Sequence, residues 1–420
     1  MWRDRLADVR AAAEARGLAP RAVEFLEVPA TDLYALQATR LPGMYHHWSF
    51  GRNYEIERAR HDRGRGTLYE LVVNLDPARA YLLDQNQDAE QLFVAAHVLG
   101  HVDLFGRNCF SRMQRLDMVQ VLAAARERFA EYERQHGETA VEQVLDAAHM
   151  VMWHSNPVER AQPREPGDAS PDPYRRLFPE PRTTPQVTPA ERYREDRRRF
   201  QRGLGEGDLL RFLIGQAALE PWQADILTVV REVALYLRPQ ARVKILHEGW
   251  ASFWHLRLLR DLAVGGPGDV QDARLHSGVV GDPRGGANPY WVGLAILEHL
   301  DARGEDLFAF AATASDRGLL ERIDAEMVSA SPELRAMAVR LEREPGADGP
   351  GWERLRDIWI AGLPQLPEVE VVVEAWDTRH LVLRAPVTVD EGYARPVLDA
   401  MSRLWGGEAS LVTPSQEIRR

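Results

Sequence analysis

The 420-residue sequence predicts a mainly α-helical protein, a multi-helix domain with a few short strands, followed by a small C-terminal α+β module of β-β-α-β order. Three observations predict it. Helical periodicity dominates residues 89–105, 118–135, 138–154, 221–237 and 244–255. Strand-like runs rich in β-branched and aromatic residues are rare before residue 365, then come as 369–375, 380–384 and 408–412 around one helical stretch, 390–405. Prolines recurring from Pro157 to Pro189, then an Arg/Glu run over 191–199, interrupt the pattern once and leave helices on both sides. The expected organisation is therefore 1–155 as the first part of a helical domain, 156–200 as a Pro/Arg-rich linker or excursion, 201–362 as its second part, and 365–420 as a separate module suited to docking or dimerisation.

Taken in order, residues 1–16 set Leu6, Val9 and Ala13 among charges, an amphipathic helix that Gly17 ends and Pro20 keeps from resuming. Tyr45 to Arg52 is too dense in aromatic rings and histidine for a surface loop, so it plugs the core or lines a site, which makes His47 a candidate substrate-binding residue. Thr67 to Asn74 reads as a strand closing at Asp76-Pro77, with Glu70, Val72 and Asn74 on one face. A carboxylate on so apolar a strand needs a partner, so Glu70 is either a general base beside a site or a solvated edge group. Two long helices follow the 89–105 stretch. On the second, Asp146 and His149 share a face, and His149 is a reserve ligand or proton carrier, or else a hydrogen-bonded core histidine. Pro221 opens the helix that leads to the central one. The glycine-rich stretch 276–290 lacks the Gly-Lys-Ser/Thr ending of a phosphate loop and reads as a loop lying across the site, bringing Asn288 and Tyr290 to substrate. Three or four helices run from Trp291 to about Ile360.

The chemistry is concentrated on two helices. In Lys244 to His255, Glu248, Ser252 and His255 fall on one face while Trp250, Phe253 and Trp254 spread apolar bulk around the rest. In 89–105, His97 and His101 stand one turn apart. A His-x3-His pair alone is a weak signal, but beside a Glu-x6-His pair on a second apolar helix it points to one metal ion held by His97, His101 and Glu248, with His255 as a fourth ligand or proton donor. Bonds of about 2.0 to 2.2 Å to one ion require the two imidazoles to lie within about 5 Å of the Glu248 carboxylate. Val98 stands where a common zinc peptidase has its glutamate, which counts against an ordinary metalloprotease.

The net charge of −11 and pI near 5.7 argue against nucleic-acid or anionic-membrane partners. One cysteine, Cys109, excludes an internal disulfide framework, fits a reducing compartment and reads as a packed residue. The charged N-terminus and the lack of a long apolar run lead to a cytoplasmic expectation.

Several blocks together carry a resemblance: Tyr45-His-His-Trp-Ser-Phe-Gly51, Tyr69-Glu-Leu-Val-Val-Asn74, His97-Val-Leu-Gly-His101, Leu219-Glu-Pro-Trp-Gln223, Glu248-Gly-Trp-Ala-Ser-Phe-Trp-His255, Asn288-Pro-Tyr290 and Leu404-Trp-Gly406. On these the chain resembles the stage V sporulation protein R (SpoVR) family. It departs from the family pattern at His247 and Val102, where asparagine is usual, and in its proline-rich linker. The resemblance implies a role in spore cortex formation or stress response. It also implies neighbours that include a serine protein kinase of AAA-like type and a protein of von Willebrand factor A-like fold. It brings no reaction with it, so the chemistry rests on the site: a divalent ion (zinc, iron or manganese) in a hydrolase-like centre, or a non-catalytic assembly or regulatory factor whose polar cluster is structural.

Overall fold

The structure, a computed structural model, describes residues 1–62, 70–155, 207–262, 276, 288–344, 348–364 and 366–420. In chain order its elements are α1 (Leu6–Ala15), β1 (Val23–Val28), α2 (Ala30–Thr39), α3 (Trp48–Asp62), β2 (Glu70–Val73), β3 (Ala78–Leu83), α4 (Asp88–Arg107), α5 (Met118–His136), α6 (Glu138–Val151), α7 (Leu209–Gln216), α8 (Pro221–Ala241), α9 (Lys244–Asp261), α10 (Pro289–Ala302), α11 (Leu307–Thr313), α12 (Asp316–Leu320), α13 (Ala325–Ala330), α14 (Pro332–Glu342), α15 (Gly351–Ala361), β4 (Val372–Trp376), β5 (His380–Arg384), α16 (Glu391–Trp405), β6 (Glu408–Val412) and β7 (Glu417–Arg419). The class is mainly α, with two small sheets, as the sequence predicts. The 156–200 linker, residues 277–287 of the glycine-rich stretch and the strand's first residues, 67–69, lie outside the described residues.

The chain gathers into two compact units, residues 1–128 with 236–364, and residues 129–235 with 365–420. In the second unit the C-terminal strands run in the order β4-β5-β6-β7, with β5 and β6 parallel and α16 between them in sequence. This module, expected to stand by itself, is grouped with the preceding helices. α16 packs on α6, and Trp405 and Trp376 close on the Phe212 ring of α7 at 5.6 and 4.9 Å between ring centroids. Without those helices two tryptophan rings would face water, which explains the grouping.

The first unit holds the site. Its sheet has the order β1-β3-β2, parallel between β1 and β3 and antiparallel between β3 and β2. Central β3 buries Ala78, Ala80 and Leu82, and α4 packs against it. α4 is buried almost without a break from Gln91 to Phe105, and α9 packs against both α4 and α10.

Both contacts are set by glycine. A Cβ at Gly100 of α4 would sit 2.7 Å from the Ala251 Cα, and one at Gly249 of α9 would sit 2.5 Å from the Gly293 backbone of α10. Carbon atoms normally pack about 3.5 to 4.0 Å apart, so only glycine permits these crossings. Two buried carboxylates then lock α9. Asp316 accepts the Ile245 and Leu246 amides at 3.0 and 2.9 Å, satisfying donors left open at the helix N-terminus. Asp103 accepts the Trp250 indole at 3.0 Å, the Ala19 amide at 2.8 Å and the Arg107 guanidinium. Cys109, expected to be packed, is exposed; its neighbour Asn108 fills the buried position instead, donating to the Ala311 and Ala314 carbonyls at 2.8 and 2.9 Å.

Candidate metal centre

Where α4 faces α9, the polar side chains converge. His97 and His101 project from consecutive turns of α4 with their rings nearly perpendicular, 4.7 Å apart between centroids. Glu248 enters from α9, its Oε2 3.7 Å from His97 Nε2 and 3.5 Å from His101 Nε2. Glu70, on β2, brings its Oε1 to 3.7 Å from the same His97 nitrogen. These meet the expectation that both imidazoles lie within about 5 Å of the Glu248 carboxylate. They are long for hydrogen bonds, but close to the edge of about 3.4 Å between ligand atoms set tetrahedrally around one ion at about 2.1 Å.

His255 takes a different place from the one the helical wheel suggests. Its Nδ1 lies 2.9 Å from His97 Nδ1, the nitrogen not facing the carboxylates, and its Nε2 lies 3.2 Å from His276 Nδ1. Both ring nitrogens are thus engaged by other imidazoles, and Glu70 is the fourth donor beside the cluster. His101 is backed in the same way by His247, which sequence spacing alone does not mark as a site group: His247 Nδ1 lies 3.3 Å from His101 Nδ1, and His247 Nε2 lies 3.3 Å from Ser111 Oγ. The available signal was a third histidine on the same apolar helix, directly before Glu248. Phe93 and Phe105 cover the outer imidazoles, with centroids 4.3 Å from His255 and 4.9 Å from His247.

Tyr290 belongs to the cluster: its hydroxyl hydrogen-bonds to the Glu248 carboxyl and its ring lies 5.9 Å from that of His97. Asn288, two residues earlier, caps α10 by accepting the Tyr290 amide at 3.0 Å, so it places Tyr290. His47 is buried, with Nδ1 2.7 Å from Ser49 Oγ and its ring against Phe50. The Tyr45–Arg52 stretch divides, with Tyr45 and His47 inside and Trp48 50% exposed at the start of α3. His149 lies half-buried on α6 in the second unit.

Burial sets the electrostatics. It pushes the Glu70 carboxyl up to about 8, helped by the neighbouring Glu248 charge, and it raises Glu248 as well. It lowers His97 to about 3 and His101 to about 4, and it holds His247 and His255 well below the usual imidazole range. Tyr290 is raised well above the ordinary phenol value, first by the Glu248 charge and then by burial. Burial thus shifts the carboxyls and imidazoles here toward their neutral forms, and a neutral imidazole keeps a lone pair free for donation. Among the described residues, Glu70, His97 and His101 form a group able to hold a metal ion, their ligand atoms all within 4.8 Å of one another. A second group, His299, Asp324 and Glu326, already has a cation in Arg303, which lies 3.0 and 3.2 Å from the two carboxylates.

Residues 3–326 match a family model described as SpoVR like protein, a span that includes every residue of this cluster. The chain belongs to the SpoVR family. It is similar to the uncharacterized protein YcgB of Escherichia coli, with 30% identity over 297 residues, 63% of this chain and 56% of that one. The chain thus spans little more than half the length of that curated relative. No solved structure matches it. The SpoVR match ends before β4, so the C-terminal strands lie beyond it. No helix among the described residues is long and apolar enough to cross a membrane.

Proposed function

We propose that His97, His101 and Glu248 hold one divalent ion, zinc, iron or manganese, and that the centre is hydrolytic, with Glu70 and Tyr290 handling protons beside it. One observation carries the metal reading. His97 Nε2 and Glu248 Oε2 are buried without a hydrogen-bond partner, and they face each other. Leaving a buried polar atom unpaired costs about 1 to 3 kcal/mol, and a cation between these two relieves both. Two imidazoles and a carboxylate are also a donor set that leaves a coordination position open. Such an ion, when bound, lowers the pKa of its water toward about 7.

The chain's own groups then divide the work. Glu70, held up to about 8 in the metal-free site, keeps its proton near neutral pH, and the charge of a bound ion beside it would draw that proton off and leave Oε1 free to act as a base. The Tyr290 hydroxyl, bonded to Glu248, orients that carboxyl. The second reading is a structural cluster in a non-catalytic assembly or regulatory factor, favoured by the low exposure of Glu70 and Glu248, 13% and 17%.

For the whole chain we place the activity in the cytoplasm, in spore cortex formation or stress response. The family resemblance supports a serine protein kinase and a von Willebrand factor A-like protein as partners, and co-purification with the two tests it. Metal analysis of protein purified without added metal tests the centre. About one ion per chain is expected, lost in Glu248→Gln, whose melting temperature in excess ion stays near the parent's. A parent that carries no ion and gains no thermal stability from zinc, iron or manganese refutes the reading. Full function in metal-free Glu248→Gln favours the structural role.

A further inference from the structure

We infer that His247 and His255 are positioning residues that fix the ligand tautomers of His101 and His97, an inference that rests on the metal reading above. Hydrogen bonding fixes the protons along two short chains of imidazoles. A histidine that offers its Nε2 lone pair to an ion, while neutral, carries its proton on Nδ1. In His97 that Nδ1 lies 2.9 Å from His255 Nδ1, and in His101 it lies 3.3 Å from His247 Nδ1. Two facing Nδ1 atoms form a hydrogen bond only when one carries the proton and the other does not, so His255 and His247 must accept at Nδ1. Each, being neutral, then carries its own proton on Nε2. At those positions stand the acceptors this requires: His276 Nδ1, 3.2 Å from His255 Nε2, and Ser111 Oγ, 3.3 Å from His247 Nε2. Both chains thus run from the cluster outward in one consistent sense, with every nitrogen of the four buried imidazoles assigned.

The arrangement also explains why two more histidines crowd a centre that does not use them as ligands. An imidazole held at Nδ1 is fixed in ring orientation and made a stronger donor at Nε2, and removing such an outer partner typically costs about 10- to 100-fold in metal affinity. Phe105 and Phe93 pack over the rings of His247 and His255, so neither can turn away to water.

The test uses the full chain loaded with zinc. Imidazole 15N NMR should show His97 and His101 protonated at Nδ1, and His247 and His255 protonated at Nε2. Chelator competition should show His255→Leu binding zinc about 10- to 100-fold more weakly than the parent. His255→Asn should stay near the parent, because Oδ1 takes the place of Nδ1 as acceptor. The His247 pair should split in the same way through His101, and melts of the zinc-free variants check that each one folds. If the leucine variants bind zinc as the parent does, if asparagine and leucine lose affinity alike, or if the tautomers are reversed, the inference falls while the metal reading stands. If the parent itself binds no zinc, the metal reading falls and takes this inference with it.

Discussion

Two glycines on α4 provide a sharp check on how the site is built. Gly100 lies between His97 and His101 and faces α9, whereas Gly106 is exposed with nothing within 4 Å of where a Cβ would be. Alanine is worth up to about 1 kcal/mol over glycine in a helix, and Gly106→Ala should gain some of that. In Gly100→Ala the new Cβ would lie 2.7 Å from the Ala251 Cα and 3.3 Å from its Cβ. Reaching an ordinary separation of about 3.5 to 4.0 Å forces α4 and α9 apart by about 1 Å. The obstacle is backbone, which no rotamer change relieves, so the cost belongs at the upper end of the roughly 1 to 3 kcal/mol typical of overpacking. After the propensity gain the net loss is about 2 kcal/mol, or about 4 to 8 °C in melting temperature for a unit of this size.

The same displacement acts on the site. His97 and His101 belong to α4 and Glu248 to α9, so gaps of 3.5 and 3.7 Å would open well past the roughly 3.4 Å edge that one ion requires. Scanning calorimetry and zinc titration of both variants read the two effects. Gly100→Ala should melt lower and bind zinc more weakly, and Gly106→Ala should melt at or above the parent with unchanged zinc affinity. A Gly100→Ala protein that melts with the parent and binds zinc equally well would refute the close crossing as the device that sets the ligand spacing.

Trp250→Ala should cost about 3 to 5 kcal/mol by thermal or denaturant unfolding, because it empties a fully buried ring site and removes the indole bond to Asp103; a loss below about 1 kcal/mol would contradict that packing. Asp316→Asn should change the pH dependence of stability. Burial holds the Asp316 carboxyl up to about 7, above its ordinary 3.8, so its contribution is full below about pH 4 and is lost as pH rises through about 7. The parent's melting advantage over Asp316→Asn should therefore shrink between pH 4 and 7, and a constant difference would refute it.

The two site helices were legible in the sequence because polar residues on segments this apolar need buried partners, and their spacing says which share a face. His97, His101 and Glu248 could be paired on that argument alone. The helical wheel does not say which nitrogen of a ring faces which neighbour, and there the expectation for His255 gave way. Standing two turns along α9 from Glu248, it reaches past the carboxylates to the back of His97. Glu70 reaches His97 through the register of β2 on β3, where it pairs with Leu82, a long-range pairing that sequence periodicity does not reveal. β1 and α2 carry weak local signals: Val-Glu-Phe-Leu-Glu-Val alternates weakly, and Ala30–Thr39 is apolar on no single face.

The contacts that position α9 were the least legible, and they explain why the spacing of ligands along a helix is only half of a site. Asp316 caps α9 from about seventy residues away, and Asp103 reaches it from α4. Neither residue carries a local signal, since an aspartate before a short helix and one near the end of a long helix both read as ordinary solvated groups. Yet the cap fixes where α9 begins, the indole bond fixes its rotation, and the Gly100 and Gly249 crossings fix its distance from α4 and α10. With start, rotation and distance set by groups outside the cluster, Glu248 is held against two imidazoles whether or not an ion is present. The orphaned His97 and Glu248 atoms are therefore a cost met by the packing around them, as expected where a fold keeps a site open for a ligand.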